Sequence, residues 1–119
     1  MRAIVNVAPA LVLSSLMSAP SFATTNFANE TVTYVATYGN GSITIYLSTA
    51  INEPGCNPNS TRIDVQGSQP NVKQILAIAL EAYISGSQIS GAVNSCDPDN
   101  GAPTFDNSYN SWLTVGPAP

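Results

Sequence analysis

Residues 72–86 read VKQILAIALEAYISG, and they form the one helical pattern in a chain whose other periodic segments alternate like β-strands. One apolar face of this helix recurs at spacings of three and four residues: Val72, Leu76, Ala79, Leu80 and Tyr83. Gly86 is placed to end the helix in the left-handed conformation. The sequence therefore predicts a β-rich domain with a single helix.

The apolar surface of this helix is wider than one contact requires. Ile75, Ile78 and Ala82 extend it round the cylinder, and a helix that is apolar almost all round usually has two neighbours. We predict that these three residues form a subunit interface. The alternative is a partly exposed isoleucine of no consequence, which is common on protein surfaces.

Five segments with the alternation of strands surround the helix: residues 31–38, 42–48, 61–65, 88–94 and 108–115. In the first, alternation places Val32 and Tyr34 on one face. The first two segments are joined by Gly39-Asn40-Gly41, and Asn-Gly suits the positive φ angles of a tight hairpin turn.

The element order β-β-β-α-β-β is that of the OB-fold, a five-stranded, partly open barrel whose helix closes one end. We therefore predict an all-β, OB-fold-like barrel with one helix over residues 31–115. The polar residues 24–30 are expected to be a flexible N-terminus, and residues 116–119 a tail.

Residues 1–23 have the three parts of a secretory signal peptide: a basic residue, an apolar stretch and small residues before Ala23. Asn6 and Pro9 interrupt the stretch, whereas a membrane-spanning helix needs about 20 apolar residues. We expect cleavage after Ala23, a secreted or periplasmic location and no membrane span in the mature chain. The alternative is an uncleaved membrane anchor.

The two cysteines of the chain, Cys56 and Cys96, are expected to form a disulfide, because a secretion signal directs the chain to an oxidising compartment. The alternative is a pair of free thiols or a metal site. The chain has no histidine and no third cysteine, so a zinc site lacks ligands. We expect neither a metal nor another cofactor.

Charge excludes one large class of partners. The chain carries three basic and seven acidic residues, and cleavage would leave only Arg62 and Lys73 as bases. Binding to phosphate backbones requires clustered basic residues. We expect no nucleic-acid partner and no anionic-lipid partner.

No catalytic motif is present, and we expect no catalytic residue. The commonest general base, histidine, is missing, as are a nucleophile elbow and a phosphate-binding loop. One enzymatic alternative is a small carboxylate-dependent hydrolase that uses the aspartates Asp64, Asp97, Asp99 and Asp106. The segment from Asp97 to Gly101 does not fit an EF-hand, which leaves a different calcium loop as a further alternative.

A binding function has better support. OB-folds bind ligands on the exposed face of strands two and three, and the alternation displays Thr44, Tyr46, Arg62 and Asp64 there. An aromatic ring beside charged groups suits a sugar, because the ring packs on C–H faces and the charges bond hydroxyls. Trp112 also points outward and is a candidate anchor. The alternative is an ordinary cross-strand pair of Tyr46 and Arg62.

The layout of hairpin, loop cysteine, strand, helix and second cysteine resembles small secreted bacterial OB-fold proteins. The segment ALEAYISGSQI, residues 79–89, resembles the B subunits of A–B toxins of the subtilase-cytotoxin type. The resemblance implies a pentamer whose helices line a channel, with glycan sites on the barrel walls. The expected function is a secreted or periplasmic binding module, for glycans or proteins. The alternative is a monomeric periplasmic inhibitor or accessory protein that binds another protein.

Overall fold

The computed structural model describes residues 24–117. The predicted signal peptide, residues 1–23, and the last two residues of the predicted tail lie outside the described residues. The described part contains eight strands and one helix: β1 (Thr25–Glu30), β2 (Val32–Thr37), β3 (Ile43–Ile51), β4 (Ser60–Val65), α1 (Val72–Ser85), β5 (Ile89–Val93), β6 (Ser95–Cys96), β7 (Pro103–Thr104) and β8 (Trp112–Val115).

The strands form two antiparallel three-stranded sheets, in the orders β1-β5-β8 and β2-β3-β4, and a two-stranded ribbon of β6 and β7. Only Thr31 separates β1 from β2, so one extended segment serves both large sheets. The β-rich fold with one helix and one disulfide is confirmed. The predicted barrel is not closed, because both large sheets are open within the described residues.

Residues 24–30 are not the flexible segment that the sequence predicts, because β1 pairs with β5 along this stretch. Phe27 is buried and lies opposite Gly91. A Cβ atom on Gly91 would lie 2.7 Å from the ring of Phe27 and 2.5 Å from the carbonyl oxygen of Trp112. The missing side chain at Gly91 therefore makes room for Phe27, which anchors the N-terminal strand to the core.

An irregularity in β2 changes which residues face the core. The register with β3 shifts between Val32 and Tyr34, so that Val32 pairs with Leu47 and Tyr34 with Tyr46. Such a bulge reverses the alternation beyond it. Val32 is buried, whereas Tyr34 is exposed. The prediction that these two residues share a face is therefore wrong.

Helix α1 buries only part of the predicted face: Val72, Leu76 and Ala79 pack on the core, whereas Leu80 and Tyr83 are exposed. Ile75, Ala79 and Ala82 are buried, and Ile78 is partly buried against the same core. The predicted subunit interface is therefore wrong for Ile75 and Ala82, which pack inside one chain. Two alanines on this face let the helix lie close to β2 and β8.

The helix ends at Gly86, whose φ of 75° is the predicted left-handed conformation. Its N–H donates to the carbonyl of Ala82 at 2.9 Å. Among residues 24–117, no helix has the length and apolar character needed to cross a membrane.

Candidate functional site

The outer face of the β2-β3-β4 sheet carries two rows of paired side chains. One row runs from Tyr34 through Tyr46 to Arg62, and the next runs through Thr44 to Asp64. The structure thus brings Thr44, Tyr46, Arg62 and Asp64 onto one face of the sheet. Tyr34 joins them because the bulge in β2 turns it outward.

Asp64 lies at the centre of a network of polar contacts. The Thr44 hydroxyl donates to Oδ1 of Asp64, and the Asn100 side-chain amide donates to Oδ2 at 2.7 Å. The Nε atom of Arg62 lies 2.6 Å from Oδ2. Because that N–H is not aligned on the oxygen, the contact is an ion pair rather than a linear hydrogen bond.

Two of the four residues that the sequence predicts to be exposed to solvent are buried. Thr44 is 1 % exposed and Asp64 is 4 % exposed. The loop of residues 97–102 covers this end of the sheet, as the contact from Asn100 shows. Asp64 therefore orients its neighbours rather than meeting solvent directly.

Arg62 connects the buried carboxylate to the open surface. The pKa of the Arg62 guanidinium lies above its ordinary value, and the main cause is its contact with Asp64. Burial alone would lower this pKa. The guanidinium carbon lies 6.0 Å from the centroid of the Tyr46 ring, within reach of a cation–π attraction. Tyr34 meets Tyr46 edge-on, with 5.3 Å between the ring centroids.

The disulfide between Cys56 and Cys96 holds the covering loop in place. The backbone N–H of Asn57 donates to the carbonyl of Gly101 at 2.8 Å, and its side-chain amide donates to the carbonyl of Asn100 at 2.9 Å. Gly101 has a φ of 80°, which favours glycine. The cross-link and these contacts position Asn100 over Asp64.

A pocket of about 270 Å³ opens between the sheet face and this loop. Its lining is polar and includes Tyr38, Ser42, Arg62, Gln66 and Asp99. The buried residues Asp64 and Asp97 also contribute to its walls.

Sequence reasoning missed Tyr38 as a candidate ligand contact and did not place the loop from Asp97 to Asn100 beside the sheet face. Tyr38 is 49 % exposed at the end of the hairpin. A tyrosine next to the Gly39-Asn40-Gly41 turn was the available signal, since such a turn places its flanking residues at the rim of a sheet.

Trp112 lies away from this pocket. It belongs to β8 in the other large sheet and is 43 % exposed. It lines a separate surface depression of about 600 Å³ with Thr24, Tyr109 and Ser111. Trp112 and Arg62 therefore belong to two different surfaces.

Of the four aspartates of the hydrolase alternative, Asp64, Asp97 and Asp99 line the pocket beside Arg62, and Asp106 lies elsewhere. Asp64 is occupied by its three partners, and Oδ1 of Asp97 accepts the backbone N–H of Asp99 at 2.8 Å. Asp106 lines other depressions of the surface. Within residues 24–117, no three acidic, cysteine or histidine side chains are grouped to hold a metal ion.

Asp106 gives a prediction about pH. Burial raises the pKa of Asp106, but hydrogen bonds from Ser108 and its neighbours outweigh this and lower the pKa below its ordinary value of 3.8. A lowered pKa adds stability above the unfolded value and loses it as the pH falls through the folded value. We expect Asp106→Asn to cost about 0.5–1 kcal/mol near pH 7. In urea unfolding, this deficit should shrink towards zero as the pH falls through the lowered pKa of the folded state; a constant deficit would contradict the assignment.

Comparisons with known proteins found no matching family model, no matching curated protein and no matching solved structure.

Proposed function

We propose that this protein is a non-catalytic binding module and that the pocket beside Arg62 binds an uncharged carbohydrate. The observation that carries the proposal is the position of Arg62. Its Nε faces the buried Asp64 carboxylate, while about a third of its side chain stays exposed beside the ring of Tyr46. A cation held in one orientation next to aromatic surface is suited to a ligand with both hydroxyl and C–H faces.

The proposed contacts follow from the chemistry of a sugar ring. The remaining guanidinium N–H groups of Arg62 are donors to hydroxyl oxygens. Asp99, Gln66 and Ser42 offer further donors and acceptors in the same pocket. The exposed ring of Tyr38 at the rim supplies a surface for the apolar C–H groups of the ring.

Charge supports an uncharged ligand over an acidic one. Three carboxylates, those of Asp64, Asp97 and Asp99, line the pocket against a single guanidinium. The surplus of negative charge repels a ligand that carries a carboxylate or phosphate. Neutral hexoses therefore suit this pocket better than sialic acids.

The wider context supports a secreted module of OB type. The extended segment from β1 to β2 serves both large sheets, which is an arrangement suited to a partly open Greek-key barrel. The disulfide fits an oxidising compartment, as does the predicted signal peptide. Under this proposal the protein is secreted or periplasmic, and a likeness to toxin B subunits remains a prediction from the sequence.

The experiment is a screen of neutral and acidic glycans followed by calorimetric titration of the best binder. We expect Tyr38→Ala and Arg62→Lys each to weaken binding about tenfold or more. Tyr38→Ala removes the aromatic surface, and Arg62→Lys replaces the planar guanidinium and its fixed set of N–H donors. Tyr109→Ala is the matched control, since Tyr109 is a fully exposed tyrosine on another surface. Equal losses in all three variants, or no glycan binding at all, would contradict the proposal.

A second candidate function is binding of another protein through the surface around Trp112. Exposed tryptophan and tyrosine side chains are enriched in the contacts that dominate protein interfaces, and Trp112 and Tyr109 lie together on this surface. This candidate predicts that a partner recovered by pull-down is lost with Trp112→Ala and retained with Arg62→Lys.

A further inference from the structure

The side of helix α1 that faces away from the core is exposed and carries apolar residues among its polar ones. Ala77, Leu80 and Ile84 lie on this outer side, at spacings of three and four residues. Ile84 is 79 % exposed and Leu80 is 39 % exposed. The same side carries the only two charged residues of the helix, Lys73 and Glu81.

These two charged side chains have no partner within the described part of the chain, where the one ion pair joins Arg62 and Asp64. They are eight residues apart, or about 12 Å along the axis, so they cannot pair within one helix. Lys73 also lies in the first turn, where the positive end of the helix dipole disfavours a cation. Both charges therefore gain from a partner of opposite sign.

Ala77 lies midway between Lys73 and Glu81 in the sequence. A two-fold axis at Ala77 would place Lys73 of each copy opposite Glu81 of the other, so the face is complementary to itself. The small side chain of Ala77 allows two helix axes to approach within about 8–10 Å. Leu80 and Ile84 then pack on both sides of the crossing point.

We propose that α1 pairs antiparallel with α1 of a second copy of this chain, with Ala77 at the crossing and two reciprocal Lys73–Glu81 ion pairs. A self-complementary patch favours a two-fold dimer over a ring, because a ring joins two different patches of each subunit. A contact of one helix is smaller than the roughly 800 Å² per partner of a stable interface. The dimer is therefore weak and reversible.

The first test is sedimentation equilibrium of the purified protein with its disulfide formed, over concentrations up to about 1 mM. We expect a monomer–dimer equilibrium that weakens about tenfold or more in Lys73→Glu and in Glu81→Lys, because attraction becomes repulsion in both pairs. The double exchange Lys73→Glu/Glu81→Lys should restore the dimer. Both residues are exposed, and thermal unfolding of each variant checks that the fold is intact.

The second test establishes the direction of the helices by cysteine cross-linking under mild oxidation. Ala77→Cys lies at the proposed axis and should form a covalent dimer. Ile84→Cys is the matched control on the same face, because its two copies would lie about 21 Å apart along antiparallel helices. A monomer at all concentrations, a pentamer, equal cross-linking at both positions, or failure of the double exchange would overturn the proposal.

Discussion

Replacement of both Cys56 and Cys96 by serine is expected to lower the free energy of unfolding by about 4 kcal/mol. The disulfide joins residues separated by 40 positions, and the loop that it closes contains β4, α1 and β5. Without the cross-link, the unfolded chain gains the entropy that loop closure had removed. Urea unfolding at neutral pH, monitored by the fluorescence of Trp112, measures the difference.

The same substitution should also loosen the wall of the pocket. Hydrogen exchange at the backbone N–H of Asn57 reports on this, since this group donates to the carbonyl of Gly101 across the two cross-linked loops. Wild-type protein treated with a reductant is the matched control and should behave like the double serine variant. A loss of less than about 1 kcal/mol would show that packing rather than the cross-link holds these loops.

The pairing of β2 with β3 and the outward position of Tyr46 could be predicted from the sequence because their determinants are local. The Gly39-Asn40-Gly41 segment does join the two strands, although within it only Gly41 has a positive φ and the predicted positive φ at Asn40 is wrong. Alternation along β3 then assigns Tyr46 to the outer face. The observed pairs, Tyr46 with Arg62 and Thr44 with Asp64, follow that register. A sequence can specify which residues face outward when the residues of the turn and the two-residue alternation of the strands predict the same register.

The orientation of the helix could not be predicted in the same way. Its residues are apolar almost all round, so spacing alone fits several faces equally well. Packing selects the face with Ile75, Ala79 and Ala82, where two small side chains permit a close approach to the sheets. The choice depends on the shape of strands that are distant in sequence.

The loop of residues 97–102, which covers the pocket, could not be predicted from local sequence patterns either. Asn100 contacts Asp64 across 36 residues of sequence, and a loop of turn-forming residues carries no periodic signal of such a contact. The bulge that turns Tyr34 outward and the insertion of Phe27 beside Gly91 are likewise non-local packing events. Sequence reasoning therefore found the sheet face of the candidate site and missed its opposite wall.

Asp64→Ala is expected to destabilise the fold by about 3 kcal/mol, the second large effect. The substitution removes the acceptor of Thr44 and Asn100 and the counter-charge of Arg62. Thr44 is buried, so its hydroxyl would have neither a partner nor full access to water. The partial exposure of Arg62 lets its guanidinium turn to solvent, which limits the total cost.

Asp99→Ala is the matched control, because Asp99 is an exposed aspartate that lines the same pocket. Its replacement should lower the free energy of unfolding by less than about 0.5 kcal/mol. A double-mutant cycle with Thr44→Val then tests the network itself. If the Thr44 hydroxyl loses its partner in Asp64→Ala, removal of that hydroxyl should recover part of the loss, so that the two effects do not add. Additive effects would mean that Asp64 acts through Arg62 and Asn100 alone. The orientation of the guanidinium in the pocket would then depend on the ion pair and the covering loop, without a contribution from β3.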